Sequence, residues 1–204
     1  NQFIVKVQDT KAPTLTVPGP MTVQATSGAG APVKFDVTAV DAVTENLTVR
    51  CSVGDQPVAS GAVFPLGKRT VECSATDEAG NTGTATFTVE VSVGWGGFLQ
   101  PLNPGGPATF KLNSTIPVKF QLAGASAGIA NLDARLYVRR VGGSEFAATS
   151  TSGATTGNAF RWDADGRQYI FNLNTKALQV AGMYELRVDL GDGVPHTIEV
   201  EIRK

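Results

Sequence analysis

Histidine occurs once in this sequence, as His196, and cysteine twice, as Cys51 and Cys73. A zinc or iron site needs several nitrogen and sulfur ligands, so metal catalysis through such ligands is excluded. No run approaches the roughly 18 apolar residues that a membrane-spanning helix requires, and no membrane insertion is expected. Charge of one sign is also missing: 17 basic and 18 acidic residues leave a formal net charge of -1. Without a basic face to neutralise phosphates, nucleic acid is not an expected partner. The opening Asn1-Gln2-Phe3-Ile4 lacks the basic and apolar regions of a signal peptide, so the chain is expected to start inside a larger protein.

Helical periodicity is scarce as well. What the sequence has instead is short runs alternating apolar and polar residues, separated by Gly, Pro, Asn and Asp, the pattern of a sandwich or barrel. Three runs resemble one another: Phe3-Ile4-Val5-Lys6-Val7, Phe87-Thr88-Val89-Glu90-Val91 and Ile198-Glu199-Val200-Glu201-Ile202. The second and third follow a strand and a turn rich in Asp and Gly, Asp77-Glu78-Ala79-Gly80-Asn81 and Asp189-Leu190-Gly191-Asp192-Gly193, as the last hairpin of a sandwich would. Upstream, Pro32-Val33-Lys34-Phe35-Asp36-Val37 echoes Pro117-Val118-Lys119-Phe120-Gln121-Leu122. A chain of 204 residues accommodates two small domains. The expected fold is therefore all-β, two tandem immunoglobulin-like β-sandwich domains.

The expected divisions are residues 1–8 as the last strand of a preceding repeat or a linker, 9–93 as the first domain, 94–97 as a linker and 98–204 as the second domain. The first domain's expected core is Val33, Phe35, Val37, Leu47, Val49, Phe64, Val71, Ala75, Phe87, Val89 and Val91. Cys51 and Cys73 fall on inward positions of their strands and read as one structural disulfide, which implies an oxidising compartment; two buried thiols are the alternative. The second domain has no cysteine and relies on Phe98, Phe110, Phe120, Phe160, Trp162, Tyr169, Phe171 and Tyr184. The join Val93-Gly94-Trp95-Gly96-Gly97 combines a flexible backbone with one exposed aromatic.

Several pieces of the first domain resemble a hyalin repeat (HYR) domain: Asp9-Thr10-Lys11-Ala12-Pro13, Cys51, Phe64-Pro65-Leu66-Gly67, Val71 through Asp77, and Ala79-Gly80-Asn81. The resemblance implies an immunoglobulin-like fold, paired cysteines and a use in extracellular adhesion or beside other domains. The second domain resembles the bacterial PxKF domain through Pro117-Val118-Lys119-Phe120, with Trp162, Tyr169 and the Asp192-Gly193 turn, although the cysteine pair of many relatives is missing. That resemblance implies no activity and a place near the C-terminus of secreted multidomain proteins.

Among candidate sites the acidic one comes first. The start of the first strand, the B-to-C loop and the F-to-G loop share one pole of an immunoglobulin-like sandwich. Asp9, Asp41 with Glu45, and Asp77 with Glu78 and Asn81 occupy those places, and their oxygens suit Ca²⁺, which takes six to eight such ligands. The competing reading makes Asp77 and Asn81 ordinary turn residues and Asp9 a solvated one. Asp189 and Asp192 form a weaker pair in the second domain. Exposed aromatics stack on sugar rings, so Tyr137 and Trp95 are the candidate glycan platforms, whereas Trp162 is assigned to the core. No nucleophile has a base beside it. His196 lacks a Ser or Cys partner, Asp163 and Asp165 read as a hairpin turn rather than glycosidase carboxylates, and Lys34 and Lys119 are remote candidates for an isopeptide bond.

The expected protein is not an enzyme. It is an extracellular, secreted or cell-surface module that spaces or presents other domains, without a cofactor unless calcium binds. Its expected partners are neighbouring domains of the same parent chain and a glycan or cell-surface protein. The alternative is a carbohydrate-binding accessory module of a secreted polysaccharide-degrading enzyme.

Overall fold

Alternating side chains put one face of a strand inward and the other into water, and the observed strands follow that rule wherever a second sheet covers the inner face. The computed structural model describes residues 7–102 and 105–204. The strand expected over residues 1–8 lies, apart from Val7 and Gln8, outside the described residues. The chain divides into two compact units, the first running to Val23 and including Pro32–Phe64 and Lys68–Glu90, the second holding Gln24–Ala31, Pro65–Gly67 and Val91–Lys204. Each is an immunoglobulin-like β-sandwich. Helix is confined to two short 3-10 turns, Gly124–Ser126 and Thr175–Leu178. No helix among the described residues is long and apolar enough to cross a membrane.

Nine strands build the first sandwich: β1 Thr14–Thr16, β2 Met21–Gln24, β3 Ala31–Pro32, β4 Thr38–Val40, β5 Val49–Val53, β6 Gln56–Pro57, β7 Val63–Phe64, β8 Gly67–Thr76 and β9 Thr82–Ser92. One sheet has the order β2-β9-β8-β5-β6; the facing layer is two short ladders, β1-β4 and β3-β7. Cys51 and Cys73 stand opposite each other on β5 and β8 and form a disulfide within that one sheet. There are no free thiols.

Seven of the expected core residues, Val33, Phe64, Val71, Ala75, Phe87, Val89 and Val91, are buried. Phe35, Val37, Leu47 and Val49 are only half-buried. The run Pro32 to Val37 is also not a continuous strand, because residues 33–37 belong to no ladder. For Phe35, Val37 and Val49 both differences share a cause. The chain leaves the short β7 layer near Ser60, where Ser60 Oγ accepts the Phe35 N–H at 2.9 Å, and no further strand flanks residues 36 and 37 among those described.

The second sandwich consists of β10 Trp95–Phe98, β11 Ala108–Lys111, β12 Thr115–Leu122, β13 Arg135–Arg140, β14 Glu145–Ala147, β15 Arg161–Asp163, β16 Gln168–Asn174, β17 Gly182–Asp189 and β18 His196–Arg203. Its sheets have the orders β10-β12-β16-β15 and β11-β18-β17-β13-β14, which are the two layers of an immunoglobulin-like sandwich with its first strand shared between them. β11 runs parallel to β18. Where the sequence reading places a linker, Trp95–Phe98 is a strand paired with β12. The reason is that the Trp95 ring has apolar neighbours to cover, Phe98 and Phe120.

Aromatic packing does in this core what the disulfide does in the first. Phe120 stacks on Tyr169 with ring centroids 5.0 Å apart, and Phe160 meets Phe120 edge-on at 4.9 Å. Tyr169 is buried with both hydrogen-bonding needs met: its hydroxyl donates to the Ile129 carbonyl at 2.9 Å and accepts the Leu132 N–H at 3.0 Å. Burial raises its hydroxyl pKa. Each fully buried side chain of this size stabilises by about 1.5 to 3 kcal/mol.

Candidate functional site

The acidic residues of the first unit sit where strands end. Asp9 precedes β1, Asp41 follows β4 directly, and Asp77 follows β8 and opens the turn into β9. That turn closes because the Asp77 N–H donates to the Asn81 carbonyl at 3.0 Å and Gly80, at φ 91°, takes a conformation that other residues resist. The Asp77 carboxylate is itself fixed: one oxygen accepts the Asn81 N–H at 2.7 Å and the other accepts the Asn81 side-chain amide at 2.8 Å. Asp41 caps its loop by accepting the N–H groups of Val43 and Thr44, and these bonds, Thr44 first, hold its pKa below the ordinary carboxylate value. A bond from the Glu78 N–H to Thr44 Oγ1, 3.2 Å, ties the two loops together.

One carboxylate oxygen from each of Asp9, Asp41 and Asp77 lies within 4.8 Å of the others. Two oxygens bound to one Ca²⁺ at about 2.4 Å can stand no further apart than about 4.8 Å. Asn81 reaches the same place, its amide nitrogen donating to the Asp9 carbonyl at 3.3 Å. Asp9 Oδ2 is shielded from solvent and has no hydrogen-bond partner, a costly arrangement for a charged oxygen unless a cation faces it. The ion pairs among the described residues all lie in the second unit, so no Lys or Arg neutralises this pole. Glu45 and Glu78 are exposed and stay outside the cluster. Sequence reasoning missed Thr44; its place three residues beyond Asp41, as the end of an Asp-capped turn, was the available signal.

The aromatic candidates are placed differently. Trp95 is half-buried and stacked on His196, with centroids 4.1 Å apart and planes at 11°, while Phe98 and Phe120 take further contacts with its ring. His196 Nε2 is buried without a partner, and burial, opposed by the nearby Asp192 charge, lowers the imidazole pKa. Tyr137 is half-buried and carries the Arg187 guanidinium 4.5 Å above its ring. Arg187 is held there by Glu145 and Asp189, and its bonds to Glu145 lower that carboxyl's pKa. Trp162 packs edge-on against Tyr169.

The remaining acids have local duties. Asp192 is buried and accepts the N–H groups of Val93 and Val194, Asp189 binds Arg187, and Asp163 accepts the Gln168 amide at 2.8 Å. Asp165 and Lys34 are exposed, Lys119 is half-buried, and neither lysine is ion-paired.

Fold and site together define a tandem immunoglobulin-like module with an acidic pole. Residues 8–91 match the HYR domain. No curated protein sequence matches the chain. Among solved structures it is similar to extracellular domains 3–5 of Drosophila OTK, at 16% identity, over 93% of this chain and 61% of that one, with a TM-score of 0.32. Another is the Ig1-2 module of the Drosophila receptor protein tyrosine phosphatase DLAR, at 10% identity over 95% and 100%, TM-score 0.30. A third is the Bacteroides ovatus glucan utilization protein SGBP-B in complex with a mixed-linkage heptasaccharide, at 14% identity over 96% and 48%, TM-score 0.31. This chain thus spans less than two thirds of the OTK chain.

Proposed function

We propose that the chain is a non-catalytic extracellular structural or adhesive module of a larger protein, and that calcium bound by Asp9, Asp41, Asp77 and Asn81 orders the pole at which its first unit begins. In this reading residues 9–93 are the HYR-type unit and residues 98–204 a PxKF-type one, spacing or presenting neighbouring domains. The observation that carries the proposal is the meeting of three carboxylates, from three separate chain segments, none of them ion-paired to a Lys or Arg among the described residues. Asp9 belongs to the segment entering the unit, so an ion shared with Asp41 and Asp77 would fix that segment to both loops. The Asn81 amide, which now donates, would turn its oxygen to the ion. The glycan-binding alternative draws less support, because Arg187 covers Tyr137 and His196 covers Trp95.

The test is thermal unfolding of the whole chain in calcium and in chelator. A rise in Tm with calcium that disappears in Asp41→Asn supports the proposal, since asparagine keeps a side-chain oxygen able to accept the Val43 and Thr44 N–H groups while removing the charge. Equal Tm in both conditions refutes it.

A further inference from the structure

The half-exposed core of the first unit is one wall of an open cleft. It has a volume of about 800 Å³ and is lined by Phe35, Val37, Val49 and Val58, with Arg50 and Glu72 adding charges. Its position follows from the strand order. In the second unit the equivalent strand, β12, is flanked by β16, which pairs antiparallel with residues Thr115 to Phe120, and β15 extends that edge. Those strands lay Phe160 and Tyr169 against Phe120, which is fully buried. In the first unit β7 is two residues long and nothing corresponds to β15 among the described residues. Phe35, at the place Phe120 holds in the sequence echo, is left half-buried.

We propose that this cleft receives an extended peptide strand from a partner protein, continuing the β3-β7 layer past Ser60 and lying alongside Phe35–Val37. The occupant is specified by what closes the same flank in the second unit. There β16 alternates buried Tyr169, Phe171 and Leu173 with half-buried residues between them. A matching partner segment has apolar residues at every second position, directed at Phe35, Val37, Val49 and Val58, and uses its backbone to pair with the open strand edge. Strand addition to an unpaired edge is a recurrent mode of peptide recognition, and a cleft of this size lies within the range of ligand sites.

The experiment uses the whole chain and a synthetic peptide copying β16, Gln-Tyr-Ile-Phe-Asn-Leu-Asn, beside a version with proline in place of the isoleucine. The expected result is saturable binding of the first peptide and hydrogen-exchange protection of the amides of residues 36 and 37. Binding is at least tenfold weaker for the proline version, which lacks a backbone donor, and for the Val37→Arg protein. Absence of binding, or equal binding of both peptides, overturns the proposal; the peptide comparison leaves the protein unchanged and so does not depend on how Val37→Arg folds. Concentration-dependent self-association of the chain that Val37→Arg abolishes would make the occupant a second copy and equally overturn it.

Discussion

His196 illustrates how one residue couples packing to pH. Its ring lies flat on Trp95 and its Nε2 is buried without a partner, so the neutral form fits the site and the cation does not. Its folded pKa is below the unfolded value of about 6.5 because burial outweighs the attraction of Asp192. The unfolded chain therefore takes up the proton first as the medium is acidified. The stability His196 contributes is complete above about pH 6.5 and is lost as pH falls through that value toward the folded pKa. Urea unfolding at pH 7.5 and pH 5.0 should show a larger loss of stability in the native chain than in His196→Gln. Equal losses would mean that the imidazole is solvated in the folded state.

At the scale of elements, close approach decides which strands can meet. A Cβ on Gly83, in β9, would stand 1.9 Å from the Pro13 carbonyl oxygen, and a backbone atom cannot swing aside as a side chain can. Gly83→Ala should cost about 1 to 3 kcal/mol, read from chemical unfolding, whereas Gly19→Ala, with nothing near its Cβ position, should cost little. The disulfide belongs to the same scale. It closes a loop between residues 22 apart in sequence, and replacing both cysteines by alanine should destabilise the first unit by about 3 kcal/mol while leaving the second unit's transition in place.

Much of this was legible in the sequence. Alternation marked the long strands β8, β9, β12, β16, β17 and β18, and the residues ending β4 and β8 named Asp41, Asp77 and Asn81 before any geometry was known. One short element was missed: Met21–Gln24 lies among Pro and Gly residues, and its alternation runs for only four positions. Nor was the open flank of the first unit legible, because its cause is a strand missing among the described residues, and Phe35 and Val37 have the sequence pattern of core residues whether or not a strand covers them. The covering of Trp95 by His196 depends on β10 and β18 meeting across the whole length of the second unit's sequence, which no local pattern records.

On the scale of the molecule, two units follow one plan and are stabilised by different means. The first has a disulfide, an acidic pole and an open flank; the second has a continuous aromatic core and all the ion pairs among the described residues. The gathered carboxylates sit in the first unit, in the three segments that an ion would join. Carboxylates gathered without a cation repel one another and a divalent ion reverses that, so removing calcium should loosen the Asp9, Asp41 and Asp77 segments and leave the second unit unchanged.

The most direct measurement is calorimetric titration of calcium into the chelator-treated chain, alongside the Asp9→Asn and Asp41→Asn proteins. The account predicts one ion per chain, with binding weakened at least tenfold by either substitution and magnesium a poor substitute. No heat of binding, or binding that both variants retain in full, would contradict it.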